Sequence, residues 1–280
     1  ATKVRYYANL RNIIIRATSK DSQVSFDQRR VHPSHFGFLC PVQTPEGAGV
    51  GKYQQPTYPS YITIPKNENI YKEYIKNQEE FIEDIYVTEA NKYYFVKLNN
   101  TIIGYCLKSN GRKLYEKLME WRSTNDHFLS VVLEIEENRL NVYSDCGRLM
   151  IPLINLKYYN KYLSDGTLDK KMESWDTCIK NRLIEYFDSK MTGYNSLIAE
   201  SADSLINPKF KYTHLFMPEG TLGISAASIP FINMMKSARA IIATAQIIHN
   251  ISVPCYNYAT AFYKDIKILH HPQIQVVGSV

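Results

Sequence analysis

Two cationic side chains in the C-terminal part of the chain are the residues best suited to grip a phosphate. Lys236 and Arg239 lie at the start of a stretch that is predicted to become helical. A guanidinium group can hold a phosphate through two parallel hydrogen bonds, and it does so best where its surroundings keep it still. The small and apolar residues 223–230 could provide that packing. On composition alone, a solvated surface charge is the simpler interpretation of both residues.

A loop rich in proline and glycine, residues 31–53, is the second candidate site. This composition excludes a continuous helix or a central strand, and structured loops often carry function. His32 and His35, with Cys40 nearby, could belong to a metal site, but no second pair of ligands accompanies them. Hydrogen bonds that brace the loop are the favoured interpretation. The rigid turn around Glu46 could present its carboxylate to a basic side chain or a backbone amide, or it could be a surface turn.

Asp145 and Arg148 flank Gly147 at the end of a predicted strand. Their opposite charges favour a local salt bridge that stabilises the turn. The sequence contains no phosphate-binding loop, no dinucleotide-binding glycine motif, no serine-hydrolase elbow and no HExxH zinc motif. Residue types alone therefore predict a module of mixed helices and strands with one functional loop.

The composition is that of an ordinary globular protein. Hydrophobic residues make up 45% of the 280 residues and charged residues 21%, which excludes a disordered, collagen-like or coiled-coil protein. The longest apolar stretches fall far short of the roughly 20 residues that span a bilayer. A net charge of +6 permits an anionic partner without requiring one. The five cysteines form no Cys-x-x-Cys pair, so reduced thiols in a cytosol-like compartment are expected.

Hydrophobic periodicity predicts an α+β fold of mixed antiparallel hairpins and helices. The strongest local signal is a hairpin in which two strands flank Asn99-Asn100. A second hairpin is predicted over residues 129–144. Apolar spacing predicts helices over residues 4–16, 68–85, 112–122, 168–187 and 238–249. The elements do not alternate as βαβ units, so no parallel sheet is expected.

Four motifs, in the same order, resemble the second-largest (β) subunit of multisubunit DNA-directed RNA polymerases. The first is the loop Arg29-Arg30-Val31-His32-Pro33-Ser34-His35-Phe36-Gly37, with Cys40-Pro41, Thr44-Pro45-Glu46-Gly47 and Gly51. The second is Val142-Tyr143-Ser144-Asp145-Cys146-Gly147-Arg148, followed by Pro152-Leu153. The third runs from Thr213-His214 through Pro218 and Leu222-Gly223 to Pro230-Phe231, with Arg239 at the family's spacing after the proline. The fourth is Ile268-Leu269-His270-His271-Pro272-Gln273.

The resemblance implies three segments of a larger multidomain subunit. Residues 1–57 would be the fork segment with the HPxHxG and TPEG loop, beside the downstream edge of the transcription bubble. Residues 58–206 would be a mainly structural external domain. Residues 207–280 would begin the hybrid-binding region, next to the RNA–DNA heteroduplex and the incoming nucleotide. The chain starts without Met, and both of its ends are interpreted as lying within a longer polypeptide.

The resemblance also implies roles for individual residues. Arg239 and Glu46 would lie at the nucleoside triphosphate (NTP), and Arg29, Arg30 and Lys236 would face nucleic acid. The motif residues with structural roles would be His32, His35, Gly37, Pro45, Gly47, Asp145, Arg148 and Pro230.

The family's catalytic groups are expected outside this sequence. Its metal-binding aspartates belong to the largest subunit, and its acidic pair and lysines nearest the metal follow the point where this chain stops. The whole enzyme would use Mg²⁺, with none bound by this chain, and the chain alone is expected to be inactive. The implied partners are the largest subunit, other polymerase subunits, DNA template, RNA transcript and NTP, with no membrane. The expected location is the cytoplasm, or the virion for a viral protein, with the nucleus as the alternative.

Four positions depart from the family pattern. Asn233-Met234 replaces an acidic–histidine pair, Phe216 stands near an acidic position, Ile151 replaces an arginine, and Gly49 replaces an asparagine of the bacterial members. The histidine loop looks bacterial, whereas the middle of the chain and Thr213-His214 resemble the eukaryotic and archaeal version. The residue bias typical of AT-rich coding, including 22 Tyr, accompanies this mixture. Together they predict a diverged branch, with a large DNA virus or phage as the first choice and a yeast-type linear plasmid as the second.

Two other functions remain open on the sequence. One is a non-catalytic relative of the polymerase subunit that acts as a scaffold or inhibitor. The other is a free-standing nucleic-acid-binding module.

Overall fold

The computed structural model describes residues 3–15, 26–84, 91–194, 196–206 and 210–249. The chain divides into two compact units, the first made of residues 1–59 and 219–280 and the second of residues 60–218. No helix within the described ranges is long and apolar enough to cross a bilayer. The fourth sequence motif, residues 268–273, lies outside the described residues. The assignment of three segments to fork, external domain and hybrid-binding region remains a prediction.

The helices and strands follow one another in a mixed order. They are α1 (Lys3–Leu10), β1 (Ile13–Ile14), α2 (Phe26–Arg29), β2 (Tyr53–Gln54), β3 (Tyr61–Ile62), α3 (Glu68–Lys76), β4 (Phe81–Ile82), β5 (Tyr93–Leu98), β6 (Thr101–Leu107), α4 (Lys108–Asn125), β7 (Ser130–Glu134), β8 (Arg139–Tyr143), β9 (Leu149–Asn155), α5 (Leu156–Ser164), α6 (Leu168–Lys171), α7 (Trp175–Lys180), β10 (Ile184–Phe187), α8 (Ser189–Tyr194), β11 (Ile198–Ala199), β12 (His214–Phe216) and α9 (Ser237–His249). This content confirms the predicted α+β class.

In the first unit, α9 packs one stripe of its surface into the core. Ala240, Thr244 and Ile247 are buried at helical spacing, and the predicted helix over residues 238–249 is confirmed. The helix predicted over residues 4–16 is too long, because α1 ends at Leu10 and the chain then forms β1, which pairs antiparallel with β2. The β-branched isoleucines of β1 favour that extended conformation.

The second unit contains a sheet with strand order β4-β6-β5-β8-β7. The predicted hairpin of β5 and β6 is confirmed, and Asn99 and Asn100 both adopt positive φ angles, of 46° and 69°, as its tight turn requires. The second predicted hairpin forms β7 and β8. No parallel sheet was expected, and the sheet is mixed: β5 pairs with β8 in parallel, whereas its other strand pairs are antiparallel. Helix α4 covers the sheet with Leu114 and Leu118, both fully buried.

A second sheet, of order β10-β9-β12-β11, corrects one helix prediction. The region 168–187 is not one amphipathic helix but α6, α7 and the strand β10. The Ser174 hydroxyl accepts a hydrogen bond from the Thr177 N–H and starts α7 anew. Arg182 then adopts a φ of 60° and reverses the chain. The strand β10 follows because its residues pair with β9, as Ile184 does with Ile154.

A buried carboxylate predicts how the second unit responds to acid. The Glu80 side chain is 2% exposed, and its two oxygens lie 2.8 Å from Lys113 Nζ and 2.7 Å from Lys117 Nζ. Hydrogen bonds from these two lysines lower the pKa of Glu80 from 4.5 to about 2. The unfolded chain therefore takes up this proton at higher pH than the folded chain, and the stabilisation is lost as the pH falls from about 4.5 towards 2.

We expect Glu80→Gln to lower the melting temperature at pH 7. In this variant the melting temperature should also decrease less than in the wild type as the pH falls from 4.5 to 2. Melting curves recorded at half-unit pH steps measure both effects. The adjacent, exposed Glu79 provides the matched control, and Glu79→Gln should leave the acid branch unchanged. An acid branch of unchanged slope in Glu80→Gln would contradict this role.

Candidate functional site

The histidine loop is held by reciprocal capping. Pro33–His35 forms a 3₁₀ turn, and His32 Nδ1 accepts a hydrogen bond from the Ser34 N–H at 3.2 Å. In return, His35 Nδ1 accepts from the His32 N–H at 3.4 Å. Burial, together with the nearby His32, lowers the pKa of His35. Both histidines therefore make the bracing hydrogen bonds that the sequence favoured. Within the described residues, no group of three His, Cys, Asp or Glu side chains could hold a metal ion.

Arg29 forms hydrogen bonds with the part of the same loop that follows the TPEG residues. Its Nη1 lies 3.1 Å from the Ala48 carbonyl and 3.4 Å from the Val50 carbonyl, and donates to both. Gly51, at φ 75°, sits so close that a Cβ there would lie 2.4 Å from the Arg29 carbonyl oxygen, so only glycine fits. The described contacts therefore give Arg29 a bracing role, and its contact with nucleic acid remains a prediction. Arg30 is exposed, with Nη1 3.4 Å from Asp27 Oδ1.

The turn around Glu46 points its carboxylate outward. Glu46 is exposed, and its side chain does not cap the short 3₁₀ turn that follows it. The turn itself is closed by Thr44, whose Oγ1 accepts a hydrogen bond from the Gly51 N–H at 2.9 Å. Gly37 and Gly47 have positive φ angles of 77° and 69°, and a Cβ on Gly49 would touch Pro45 Cβ at 3.3 Å. The loop is thus a rigid support that leaves the Glu46 carboxylate available for a partner.

Lys236 and Arg239 are exposed where α9 begins. Neither side chain makes a hydrogen bond or ion pair with the described part of the chain. The apolar run before them packs as predicted at Ala226 and Ile229, which are buried, whereas Pro230 itself is exposed. Arg239 is therefore a guanidinium without a partner among the described residues, on a helix whose neighbouring face, at Ala240, Thr244 and Ile247, is buried in the core.

Gln43, which the sequence did not single out, connects the two parts of the first unit. Its side chain is buried and hydrogen-bonds to Ser225 and Ala226. The one available signal is a polar residue between two proline turns, because a buried amide must find partners. Those partners lie 182 and 183 residues away, so local spacing does not reveal them.

In the second unit, Arg148 confirms the predicted local salt bridge and extends it. Its Nε lies 2.9 Å from Asp145 Oδ1. The guanidinium also donates to the Phe128 carbonyl at 3.1 Å and to Ser130 Oγ, and Nη1 lies 3.6 Å from Asp188 Oδ2. Arg148 therefore ties the end of the second motif to neighbouring strands and is a structural residue.

A buried charged group in the second unit was also missed. Arg122 is 1% exposed, and it donates to the carbonyls of Leu129 at 2.5 Å and His127 at 2.9 Å. Its Nη1 lies 3.8 Å from Glu185 Oε2, and His214 Nε2 lies 3.6 Å from the same oxygen. His214 belongs to the Thr213-His214 motif, so this motif residue has a structural partner in the core.

The net positive charge of the chain arises in the first unit. That unit contains 12 Lys and Arg against 5 Asp and Glu, whereas the second contains 21 against 22. The first unit therefore carries a net charge of +7 and the second −1, which together give the +6 of the chain. All five residues predicted to contact NTP or nucleic acid belong to the basic unit.

Sequence comparisons identify relatives along most of the chain. The family described as RNA polymerase Rpb2, domain 3, matches residues 1–61. The DNA-directed RNA polymerase II subunit RPB2 of Encephalitozoon cuniculi is 25% identical over 261 residues, covering 89% of this chain and 23% of the relative. A probable RPB2 homolog of Invertebrate iridescent virus 3 is 26% identical over 278 residues, covering 97% of this chain and 23% of the relative.

A third relative, DNA-directed RNA polymerase subunit 2 of Acanthamoeba polyphaga mimivirus, is 24% identical over 307 residues and covers 96% of this chain and 25% of the relative. The relatives thus include both cellular and viral proteins, and the chain spans about a quarter of their length. The resemblance found in the sequence motifs is confirmed: over most of its length, the chain is similar to second-largest subunits of DNA-directed RNA polymerases.

Proposed function

We propose that the chain is part of the catalytic core of a DNA-dependent RNA polymerase, where it helps to hold the RNA–DNA hybrid, the downstream edge of the bubble and the incoming NTP. The observation that carries this proposal is the similarity to second-largest subunits over most of the chain. The charge distribution supports it independently, since a basic surface attracts the phosphates of nucleic acid and NTP without reading sequence.

In this proposal, Arg239 holds the triphosphate. It is exposed, it lacks a partner within the described ranges, and its helix is anchored by buried residues. A fixed guanidinium can neutralise the charge that develops on phosphate oxygens during nucleotidyl transfer. Glu46 would orient a basic group beside the triphosphate, and Lys236, Arg29 and Arg30 would contribute to the field that attracts nucleic acid.

The remaining chemistry would come from other parts of the enzyme. Mg²⁺, when bound, would stabilise the attacking and leaving oxygens of the transfer. We place Mg²⁺ on the largest subunit, as the resemblance to the polymerase family implies, with none bound by this chain. The partners would be that subunit, the other polymerase subunits, template DNA, RNA and NTP. The proposed location is the cytoplasm, or the virion for a viral protein, with the nucleus as the alternative.

The test is template-directed RNA synthesis by the assembly purified through this chain. We expect incorporation of labelled NTP that requires DNA template and Mg²⁺, while the 280-residue chain alone should be inactive. An assembly that contains the largest subunit and binds nucleic acid but makes no RNA would instead indicate the non-catalytic scaffold. A chain that binds nucleic acid without polymerase partners would indicate a free-standing binding module.

A further inference from the structure

The oxygen and the nitrogen of the Gln43 side-chain amide both form hydrogen bonds with a single turn, residues 223–228. Gln43 is 2% exposed, and its Oε1 accepts hydrogen bonds from the backbone N–H groups of Ser225 at 3.1 Å and Ala226 at 3.4 Å. Its Nε2 donates to Ser225 Oγ at 3.1 Å. A buried amide whose donor and acceptor are both satisfied fixes the distance and the orientation of the two segments that it joins.

The surroundings leave this amide no freedom to move. Ser225 and Ala226 are fully buried. A Cβ on Gly223 would lie 2.4 Å from Gln43 Oε1 and 3.2 Å from Cys40 Cβ, so the turn approaches the loop as closely as glycine allows. The loop and the turn are therefore in direct contact over several residues.

The same contact reaches the helix that carries Arg239. The turn continues into Ile229, which packs against Ile247 on the buried face of α9. Thr244, 1% exposed on the same face, donates its hydroxyl proton to the Ile241 carbonyl of its own helix at 2.7 Å, and its Oγ1 lies 3.5 Å from the Val42 carbonyl of the loop. The loop is thus hydrogen-bonded through Gln43 to the turn that packs on α9, and Val42 lies against the same face of the helix.

We propose that Gln43 is a positioning residue for the NTP site, which fixes Arg239 relative to the turn that presents Glu46. This inference rests on the proposed function. Gln43 itself is buried and acts through Ser225 and Ala226 rather than by contact with the nucleotide. Displacement of a binding group by about 1 Å can lower kcat/KM by roughly a hundredfold, so a rigid link between the two charged groups matters for catalysis.

A double-mutant cycle in the complete polymerase tests this role. We expect Gln43→Leu to lower kcat/KM for NTP about tenfold or more, and to have little further effect when Arg239 is already alanine, because both changes remove the same interaction. Gln43→Glu should restore most of the activity, since a carboxylate can accept from both backbone N–H groups and from the Ser225 hydroxyl.

Gln55→Leu is the matched control. Gln55 is also a buried glutamine of the first unit, 3% exposed, but its Nε2 donates to the Ala8 carbonyl at 2.7 Å instead of to the turn. Gln55→Leu should lower the melting temperature, and any effect it has on kcat/KM should be additive with that of Arg239→Ala. A purely structural role for Gln43 would be indicated if Gln43→Leu were also additive with Arg239→Ala, and this result would overturn the proposal.

Two further measurements keep the test decisive if Gln43→Leu fails to assemble. Gly223→Ala displaces the Gln43 amide by steric contact without removing it, and it should show the same lack of additivity. Hydrogen exchange of the Ser225 and Ala226 amides should be faster in the assembly that carries Gly223→Ala than in the wild-type assembly. Equal exchange rates in the two assemblies would refute the role of Gln43. Absence of RNA synthesis by the wild-type assembly would instead refute the proposed function, so the two failures are distinguishable.

Discussion

Replacing Arg239 by alanine is expected to lower kcat/KM for NTP by about ten- to a hundredfold in the complete polymerase. Hydrogen bonds to charged groups are worth about 1.5–3 kcal/mol, and each 1.4 kcal/mol corresponds to roughly a factor of ten. Because Arg239 is exposed and makes no hydrogen bond or ion pair with the described part of the chain, its removal should not disturb the fold. Single-nucleotide addition at limiting NTP measures the effect.

Three comparisons separate phosphate binding by Arg239 from a general charge effect. Arg239→Lys retains the charge but not the two-pronged geometry, so it should fall between wild type and alanine. Lys236→Ala should instead weaken nucleic-acid binding. It should also reduce the slope of log K against log salt concentration by about one, the value for one phosphate contact. Arg112→Ala, a change at an exposed arginine in the second unit, should leave nucleotide addition unchanged. Wild-type kinetics for Arg239→Ala at limiting NTP would contradict the assigned role.

Removing Arg122 should cause the largest loss of stability in the second unit. Arg122→Met removes the buried one of the two arginines that pair with Glu185, leaving Arg182 at 3.7 Å, and it leaves the carbonyls of His127 and Leu129 without their donor. Breaking a buried ion pair in this way costs about 3–5 kcal/mol. Denaturant unfolding of the protein, followed by a probe in the second unit, measures the loss.

Arg112 offers a matched control on the same helix. Its side chain is 86% exposed and pairs with Glu116 one turn away, so Arg112→Ala should cost about 0.5 kcal/mol or less. Glu185→Gln combined with Arg122→Met should recover part of the loss, because the double variant no longer buries a carboxylate that has lost its buried partner. A loss in Arg122→Met no larger than that in Arg112→Ala would show that the buried pair contributes little.

The parts of the fold that depend on local chemistry could be predicted from the sequence. The Asn99-Asn100 turn specifies its hairpin because asparagine tolerates positive φ angles. Helix α4 was predicted from the spacing of Leu114 and Leu118, which face the same sheet. In both cases the residues that determine the element lie within it.

The errors arose where distant partners decide the structure. Ile184–Phe187 matches the periodicity of a helix, yet it forms β10 because β9 offers a strand to pair with. The parallel pairing of β5 with β8 likewise depends on a crossover that periodicity does not encode. Local pattern therefore did not predict the conformation of residues 168–187.

The candidate site shows the same division. The histidine loop was predicted to be braced by its own hydrogen bonds, and the capping by His32 and His35 confirms this because the partners are three residues or fewer apart. Gln43 and Arg122 were missed because their key partners lie 182 and 63 residues away in the sequence. The predicted contacts of Arg239 and Glu46 involve molecules outside the chain and remain proposals.

Photo-crosslinking with an NTP analogue that carries the reactive group on its γ-phosphate tests the central claim most directly. In the transcribing assembly, with template DNA and RNA bound, the label should attach to the basic first unit, within residues 1–59 or 219–280, and unlabelled NTP should compete with it. Arg239→Ala should reduce the labelling. Labelling confined to residues 60–218, or no competition by NTP, would contradict the claim that the first unit forms part of the nucleotide site.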